Sequence, residues 1–303
     1  MNIRTKILLP MVGLAVISSL SIALIGILNI RNFSKEAEIK EVTVANATIL
    51  GYKRDLEANI ERGTLMAARN PEVIVGLTEF LENGDRKRLV DAVMYIAQYS
   101  DIDFYTIMDM SGRVVIRSHA PDRFGDNNAD IPHIKVALGG RQAIAYESTA
   151  ANPIALRCGI PIIHNNRQIG VASAGFDLTS EAFVDKMKDI TGSEITVFLG
   201  NTRIATTFRN ERGERNVGTP GDERITRQVL AGNPFVGPAT VNGIHFYTYY
   251  APINDADGKA FGIIFNGVDI TETEKQTNGM IMWMVILVAI FCVVAVVIAI
   301  YTA

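Results

Sequence analysis

The chain has few of the residues that mark disulfides, metal sites or nucleic-acid surfaces. Among its 303 residues are only two cysteines, Cys158 and Cys292, and the second lies inside an apolar run, so a disulfide between them is not expected. Two isolated cysteines also cannot build a structural zinc site. The 29 basic and 32 acidic residues are nearly balanced and form no basic cluster. This composition argues against nucleic acid as a partner.

The sequence also lacks the usual signatures of catalysis. Its four histidines show no metal-ligand spacing, no G-x-S-x-G motif occurs, and no phosphate-binding glycine loop opens a helix. Asp126 and Asp130 with His133 could surround a metal, but a polar loop that caps a helix at Pro132 explains these residues better. We therefore expect neither an enzyme nor a metal site, and no cofactor.

Charge is absent from two long runs, residues 7–30 and residues 279–301. Each exceeds the roughly 20 residues that a helix needs to cross a bilayer, so both are predicted to be transmembrane helices. Arg4 and Lys6 precede the first run and favour a cytoplasmic N-terminus over residues 1–6. The length of this run favours an uncleaved anchor over a cleaved signal peptide.

Two spans would place residues 31–278 on the far side of the inner (plasma) membrane, in the periplasm or outside the cell. A large outer region anchored by two spans would need a cytoplasmic part that receives its signal. We therefore expect the chain to be the front part of a longer protein.

Proline is absent from residues 31–69, where apolar positions recur three, four or seven residues apart among charged ones. This pattern predicts that the first span continues outward as one long helix. Two shorter helices are predicted at about 72–82 and 85–99, separated by an Asn-Gly-Asp turn. Residues 31–99 are thus expected to form a long helix and a helical linker.

The remainder of the outer region is a repeat. The stretch PIIHNNRQIGVASAGFDLT (161–179) returns as PINDADGKAFGIIFNGVDIT (252–271), and a Leu-Gly-Gly helix end returns 92 positions later as Leu-Ala-Gly. In both copies the pattern predicts a hairpin, a short helix and three antiparallel strands. Motifs that recur in one order at nearly one offset indicate a duplicated module, with one copy over residues 100–190 and the other over residues 191–271.

A long helix that leaves a first transmembrane segment, two PAS-like modules and a return span together resemble a double Cache sensor domain. This domain forms the outer part of many bacterial and archaeal chemoreceptors, sensor histidine kinases and diguanylate cyclases. The most specific residues are the paired endings GVASAGFDL (170–178) and GIIFNGVDI (262–270). Residues 126–140 and 201–219 add to the resemblance, which is strongest to methyl-accepting chemotaxis proteins.

The resemblance implies an α+β fold with a long N-terminal helix and two tandem PAS-like antiparallel-sheet modules, flanked by two transmembrane helices. It also implies a homodimer in which a ligand binds the membrane-distal module and shifts the second span against the first. HAMP and cytoplasmic signalling domains are then expected beyond the chain end. Two alternatives are the sensor half of a histidine kinase or diguanylate cyclase, and an outer-face binding or adhesion protein without signalling output.

A small-ligand pocket needs a few polar groups that converge in an apolar cup. Arg117 and His119 end the strand VVIRSH, where an arginine could hold a carboxylate in a bidentate fork unless the strand end is simply solvated. Arg157 stands between apolar strand neighbours. By alternation it shares a face with Ala155 and Gly159, and this face is either the pocket or the wet side of the sheet.

Three further candidates complete the predicted site. Tyr105 and Tyr146 could serve as hydrogen-bonding walls, although strand tyrosines are often half-buried core residues. The resemblance adds Asp177, because double Cache sensors that bind amino acids use an aspartate at this position for the ammonium group. Asp269 occupies the same place in the second copy, so a role as strand terminator is the alternative.

The expected ligand is a small organic acid rather than an amino acid. The amino-acid sensors of the family carry an arginine followed by tryptophan and tyrosine two and three positions on. The one tryptophan of this sequence, Trp283, lies in the second predicted span instead. Two arginines and a histidine near the cup of the first module suit a carboxylate better.

The second copy carries a hydroxyl-rich set that could bind an anion, with Arg203 where the first copy has Arg113. The members of the set are Thr202, Arg203, Thr206, Thr207, Arg215 and Thr219. A cross-strand hydrogen-bonded ladder explains the set as well and is the favoured interpretation. Asn242-Gly243 predicts a hairpin turn.

Overall fold

The computed structural model describes residues 3–150 and 152–302, which form seven helices and ten strands. Residues 1 and 2 of the predicted cytoplasmic N-terminus lie outside the described residues. The chain divides into two compact units. The first comprises residues 1–44, 236–248 and 267–303, and the second comprises residues 45–235 and 249–266.

The first unit contains the apolar parts of two long helices. Helix α1 (Ile3–Arg69) is continuous, and helix α7 (Thr271–Thr302) closes the described chain. Both are long and apolar enough to cross a membrane. Their most apolar windows are only 6% and 0% buried, whereas the core helix of a soluble protein would be mostly buried. Apolar surface of this extent needs a covering, and a bilayer would provide it.

Polar contacts beyond the apolar runs join the elements of the first unit. The Thr277 hydroxyl donates to the Ser34 hydroxyl at 3.1 Å, so α7 is tied to α1. His245 Nδ1 lies 2.9 Å from Glu274 Oε2, and the Ile270 amide donates to the His245 carbonyl at 3.0 Å. These contacts hold the start of α7 beside His245, which belongs to strand β9 (Ile244–Asn254).

The second unit begins with the remainder of α1 and two shorter helices. Helix α2 (Pro71–Asn83) starts where Asn70 accepts hydrogen bonds from two backbone amides, and it ends at Gly84, whose φ of 82° needs a glycine. Helix α3 (Lys87–Gln98) follows. The structure thus confirms the three predicted helices of this region.

Five antiparallel strands and a short helix form the first module. They are β1 (Phe104–Asp109), β2 (Val114–Arg117), α4 (Pro132–Leu138), β3 (Ala143–Glu147), β4 (Ala155–His164) and β5 (Arg167–Asp177). The strand order in the sheet is β2-β1-β5-β4-β3. Each neighbouring pair is antiparallel, and the order agrees with the predicted hairpin followed by a three-stranded run.

The second module repeats the first. Its elements are β6 (Glu194–Leu199), β7 (Thr202–Thr206), α6 (Glu223–Leu230), β8 (Phe235–Val241), β9 and β10 (Ala260–Asp269). The strand order β7-β6-β10-β9-β8 is the same as in the first sheet. Both hairpins also carry a register irregularity at the same place, between Ile107 and Met108 and between Val197 and Phe198. The duplication predicted from sequence is confirmed.

The register corrects one predicted equivalence between the copies. Val114 pairs with Met108 directly after the first irregularity, whereas Arg203 pairs with Phe198 directly after the second. Arg203 therefore corresponds to the buried Val114 and not to the exposed Arg113. The sequence comparison was wrong by one position because the turn of the second hairpin is shorter than that of the first.

Helix α5 (Glu181–Thr191) follows β5 at the end of the first module and was not predicted. The Ser180 hydroxyl accepts a hydrogen bond from the Phe183 amide at its start, and Gly192 ends it with a φ of 70°. The predicted turn at Asn242-Gly243 is confirmed, since both residues have positive φ.

The apolar core of the second unit covers one face of the first sheet. Ile60 of α1, Leu77 of α2 and Leu89 of α3 pack in one buried cluster with Ile107 and Leu156 of the sheet. Burying this face against three helices leaves the opposite face to α4 and the loops. The functional candidates lie on that opposite face.

Candidate functional site

Alternation along β4 separates two kinds of side chain. Leu156 and Cys158 point into the apolar core, whereas Arg157 and Gly159 belong to the other face. Gly159 lies so close to α4 that an added Cβ would stand 2.9 Å from the His133 carbonyl oxygen. We call this second face of the first sheet the polar face. Its buried polar side chains are Thr106, Glu147, Arg157 and Ser173, together with His133 of α4.

Arg157 is the central cation of the polar face. It is only 9% exposed, and its Nη2 donates to Thr149 Oγ1 at 3.2 Å and to Asn152 Oδ1 at 3.0 Å. Its buried Nε has no hydrogen-bond partner in the described chain. Burial lowers the pKa of the guanidinium, and the charges of Glu147 and Asp177 oppose this shift. Arg157 therefore keeps a donor available for a further acceptor.

A buried relay lies beside Arg157. Glu147 accepts from the His133 backbone amide and from His133 Nδ1, both at 2.8 Å, and His133 Nε2 lies 2.8 Å from Ser173 Oγ. Burial lowers the pKa of His133, although Glu147 opposes the shift. Because Nδ1 donates to the carboxylate, Nε2 of the neutral ring accepts a hydrogen bond from the Ser173 hydroxyl. The relay fixes α4 on the sheet.

The order serine, histidine and acid is also that of hydrolase triads. Ser173 is only 3% exposed, however, and its hydroxyl is already engaged with a residue of α4. A nucleophile must reach its substrate, and this one is covered. The arrangement therefore positions α4 and offers no accessible nucleophile.

Phe104 forms an aromatic wall at the centre of the polar face. Its ring lies across Gly175, where an added Cβ would stand 2.0 Å from Phe104 Cζ. The Arg157 guanidinium lies 5.0 Å from the ring centroid, and the His119 ring meets it edge-on at 5.6 Å. The glycine at position 175 thus makes room for a ring that contacts two predicted site residues.

The structure places Arg117 and His119 at one side of this wall. Arg117 forms a bidentate ion pair with Asp126, at 2.8 and 2.5 Å, and donates to the Arg123 carbonyl. The His119 ring is partly desolvated beside Phe104 and lies near arginines, and both effects lower its pKa. Arg117 thus holds the loop that follows β2, and its charge is already paired.

Tyr105 and Tyr146 lie on the opposite face from Arg157. Tyr105 is buried in the apolar core. The Tyr146 hydroxyl donates to Glu57 of α1 at 2.9 Å, and Lys53 lies over its ring at 4.2 Å. An apolar cavity beside Tyr146 has a volume of about 30 Å³, which is room for about one water. The structure does not bring these tyrosines together with the arginine and histidine candidates.

Asp177 ends β5 at the edge of the polar face. Its Oδ1 accepts from the Thr179 amide at 2.8 Å and from the Thr179 hydroxyl at 2.5 Å, which is the pattern of a turn. Its Oδ2 is 3.4 Å from Asn152 Nδ2, so Asp177 also supports a partner of Arg157. Among the described residues, no group of three or more histidine, cysteine or acidic side chains is placed to hold a metal ion.

The corresponding face of the second module is filled by aromatic rings. Phe265, which stands 92 positions after Ser173, contacts Tyr250 with ring centroids 4.8 Å apart and Phe208 at 5.7 Å. Tyr250 also contacts Phe235 at 5.9 Å. The relay residues of the first module thus have no counterpart here, because apolar rings take their space.

Sequence reasoning missed His133 as part of the site, and it did not single out Glu147, Ser173 or Phe104. A signal was present, because Ser173 interrupts the apolar strand VASAGF and Glu147 ends the strand AIAYE. A polar residue in a strand interior needs a partner. The partner is 40 positions away in the case of Ser173 and His133, so only the fold could reveal it.

Two sequence models of the Cache sensor family match the chain, and both are described as single cache domain 3. One matches residues 52–184 and the other matches residues 164–280. The two matches follow one another along the chain, as the two modules do. No curated protein matches the sequence at a significant level.

Several solved sensor domains are similar to this chain. The extracellular domain of a protein described as histidine kinase vpHK1S-Z8 gives a TM-score of 0.52 at 13% identity, over 82% of this chain and 95% of that one. The V. cholerae histidine kinase DctB sensor domain gives 0.49 at 11% identity, over 78% and 97%. The ligand-binding domain of the Campylobacter jejuni chemoreceptor Tlp3 with 4-methylisoleucine gives 0.49 at 12% identity, over 79% and 92%. The first of these likenesses supports a shared fold.

Proposed function

Because this chain belongs to the Cache family of sensor domains and carries two modules in tandem, we propose that it is the sensing and transmembrane-signalling part of a chemoreceptor. In this proposal it binds a small molecule and catalyses no reaction. The family also includes kinase sensors, and the support for the chemoreceptor class is the resemblance of the paired endings of residues 170–178 and 262–270 to methyl-accepting chemotaxis proteins.

The proposed location is the inner membrane. Residues 7–30 and 279–301 cross it, residues 1–6 lie in the cytoplasm, and residues 31–278 lie in the periplasm or outside the cell. The exposed apolar windows of α1 and α7 support this assignment. The first module would then be the membrane-distal one, over residues 100–190, because α7 follows β10 of the second module after a single residue.

The proposed ligand is a small organic acid bound at the polar face of the first module. The observation that carries this proposal is Arg157, a buried guanidinium whose Nε has no partner in the described chain. A ligand carboxylate can accept from Nε, and Asn152 and Thr149 already orient the fork. Phe104 provides an apolar wall for the ligand's carbon skeleton.

An organic acid suits this face better than an amino acid. The carboxylates of this face already accept hydrogen bonds, Asp177 from the Thr179 amide and hydroxyl and Glu147 from His133, whereas Arg157 Nε has no partner in the described chain. His119 and the loop held by Arg117 are the proposed cover of the ligand. Tyr146 is the proposed link to α1, because its hydroxyl donates to Glu57.

Signalling in this proposal runs through continuous elements. Helix α1 carries Glu57 and extends into the first span, and β10 leads directly into α7. A change in the first sheet on ligand binding would shift α7 against α1 and pass to HAMP and signalling domains beyond residue 303. We propose that the receptor is a homodimer packed along α1, as its family resemblance implies.

Calorimetry tests the ligand proposal. The full chain in detergent is titrated with a panel of small organic acids and, in parallel, with amino acids. At least one organic acid should bind, and Arg157→Met should weaken it by about 10-fold or more, since a hydrogen bond between charged groups is lost. Arg157→Lys should retain part of the affinity because it keeps the charge without the fork.

The matched control is Arg141→Met, which removes an exposed arginine of the same module and should leave the affinity unchanged. Binding that survives Arg157→Met unaltered would contradict the assignment of the site. Heat from amino acids alone would contradict the assignment of the ligand class.

A further inference from the structure

The second module contains a buried positive charge that the described chain does not neutralise. Arg203 is only 7% exposed and forms no ion pair with any described residue. Its Nη1 donates to Thr219 Oγ1 at 2.5 Å and approaches the Asn216 carbonyl at 3.5 Å, but its buried Nε has no partner. A buried cation without a counter-charge is costly, so its retention needs a reason.

The surroundings of Arg203 are aromatic rather than acidic. The guanidinium lies 5.5 Å from the Phe198 ring centroid and 5.8 Å from that of Phe208. Burial lowers the pKa of Arg203, and the opposing influence among the described residues is Tyr250, whose own pKa is raised by burial to about 12. Tyr250 is therefore neutral at physiological pH and cannot balance the arginine.

The first module shows that the fold does not need a charge at this position. Arg203 corresponds to Val114, which packs in a small apolar cluster with Met108, Ile134 and Val171. Arg157, the buried arginine of the first module, has the charges of Glu147 and Asp177 nearby, whereas Arg203 has no such carboxylate. The second module thus has an uncompensated cation, Arg203, at the position where the first module has Val114.

We infer that the second module binds a small monovalent anion against Arg203, at a site distinct from the polar face of the first module. The anion accepts from Nε and supplies the missing charge. Thr219 orients the guanidinium, since its hydroxyl accepts from Nη1 and donates to the Asn216 carbonyl at 3.0 Å. The site offers one guanidinium between the Phe198 and Phe208 rings, so a small monovalent anion such as chloride or formate is the matching class.

The test measures thermal unfolding of the full chain in detergent at constant ionic strength. Sodium chloride or sodium formate replaces sodium isethionate, whose bulky anion is excluded from a closed site. The melting temperature of the wild type should rise saturably by about 3 °C. Hydrogen–deuterium exchange should show new protection confined to peptides over residues 201–222, which include β7 and Thr219.

Variants assign the effect to Arg203. Arg203→Met should abolish both the shift and the protection, and it should melt no lower than the wild type in isethionate because the uncompensated charge is gone. Arg212→Met, which removes an exposed arginine of the same module, should keep the full shift. Arg157→Met should keep the chloride shift as well, which separates this site from the carboxylate site proposed for the first module.

Three results would overturn the inference. One is an equal shift in the wild type and in Arg203→Met, which would indicate a general salt effect. The second is wild-type protein without new protection over residues 201–222, which would mean that water satisfies Nε. If Arg203→Met does not fold, Arg203→Lys replaces it. The third result is then an undiminished shift in Arg203→Lys together with no localised protection in the wild type.

Discussion

Single buried side chains distinguish the two modules at the residue scale. His133, Glu147 and Ser173 satisfy one another in the first module through contacts of 2.8 Å. A buried polar group that loses its partner costs free energy, so each member of the relay depends on the other two. The relay should therefore respond to substitutions that an exposed position would tolerate.

Ser173→Ala should lower the free energy of unfolding by about 1–3 kcal/mol, because it leaves His133 Nε2 buried without a partner. The measurement is thermal unfolding of the full chain in detergent. Thr240→Ala, at an exposed position of β8, is the control and should change stability by no more than about 0.5 kcal/mol. Equal effects of the two substitutions would show that the relay is not formed.

The relay also predicts a dependence of stability on pH. Burial lowers the pKa of His133 in the folded protein, so the unfolded chain takes up the proton first as the pH falls. The stabilisation is fully present above the unfolded pKa of about 6.5 and is lost below it. The unfolding free energy should therefore fall from pH 7.5 to 5.5, with a slope of at most about 1.4 kcal/mol per pH unit from this residue.

Unfolding curves of His133→Gln test this origin of the slope. The variant should lose most of the pH dependence, while His119, whose pKa is also lowered, accounts for a smaller remainder. His164→Gln lies outside the polar face and serves as the matched control. An unchanged slope in His133→Gln would assign the pH dependence to other groups.

At the scale of elements, one face of each sheet packs in the apolar core. The other face carries different side chains in the two modules. In the first module the helices α1 to α3 cover the core face, and glycines on the other face allow close approach. Gly175 admits the Phe104 ring, and Gly159 admits α4. Small residues in these strands thus decide which groups reach Arg157.

Gly175→Ala should destabilise the protein by about 1–3 kcal/mol and weaken ligand binding. The added methyl would meet Phe104 Cζ at 2.0 Å, so the ring must leave its place beside Arg157. Gly51→Ala on α1 meets no atom closer than 4.0 Å and is the control; it should be neutral or stabilising in the helix. The two variants are compared by thermal unfolding and by calorimetry, and normal affinity in Gly175→Ala would contradict the role of the ring.

The spacing of apolar residues and the positions of turn residues were enough to predict most elements of this fold. The three helices after the first span, both hairpins and the order of strands in each module follow from apolar spacing and from turns such as Asn242-Gly243. The duplication helped because each copy supports the interpretation of the other. Helix α5 was missed, although α7 follows β10 in the second copy much as α5 follows β5 in the first.

The site was harder to predict because it depends on contacts between distant residues. Alternation placed Arg157 correctly with Gly159, but it could not show that Tyr105 and Tyr146 belong to the other face of the sheet. The pairing of Ser173 with His133 and of Arg117 with Asp126 depends on how loops and α4 cross the sheet. Sequence spacing alone does not contain that information.

For the whole molecule, we expect the second module and the second span to be joined by a short, stiff connection. Only Ile270 separates β10 from α7, and the start of α7 is held by the contact of Glu274 with His245. A displacement of β10 should therefore be transmitted to α7 with little loss, because no flexible linker separates them.

Inserting two alanines after Ile270 would turn α7 by about 200° relative to β10. In a chimera with the HAMP and signalling part of a characterised chemoreceptor, this insertion should abolish ligand control of kinase activity while calorimetric affinity stays unchanged. Two alanines placed in the exposed turn at Asn242-Gly243 are the control and should preserve the response. Intact control with the insertion after Ile270 would contradict transmission through this connection.

The central claim is that Arg157 anchors a small carboxylate on the polar face of the first module. A structure of the full chain with its tightest-binding organic acid tests this most directly. We expect a carboxylate oxygen within hydrogen-bond distance of Arg157 Nε and ligand carbon atoms against the Phe104 ring. A ligand found elsewhere, or an amine bound at Asp177 with Arg157 untouched, would contradict it.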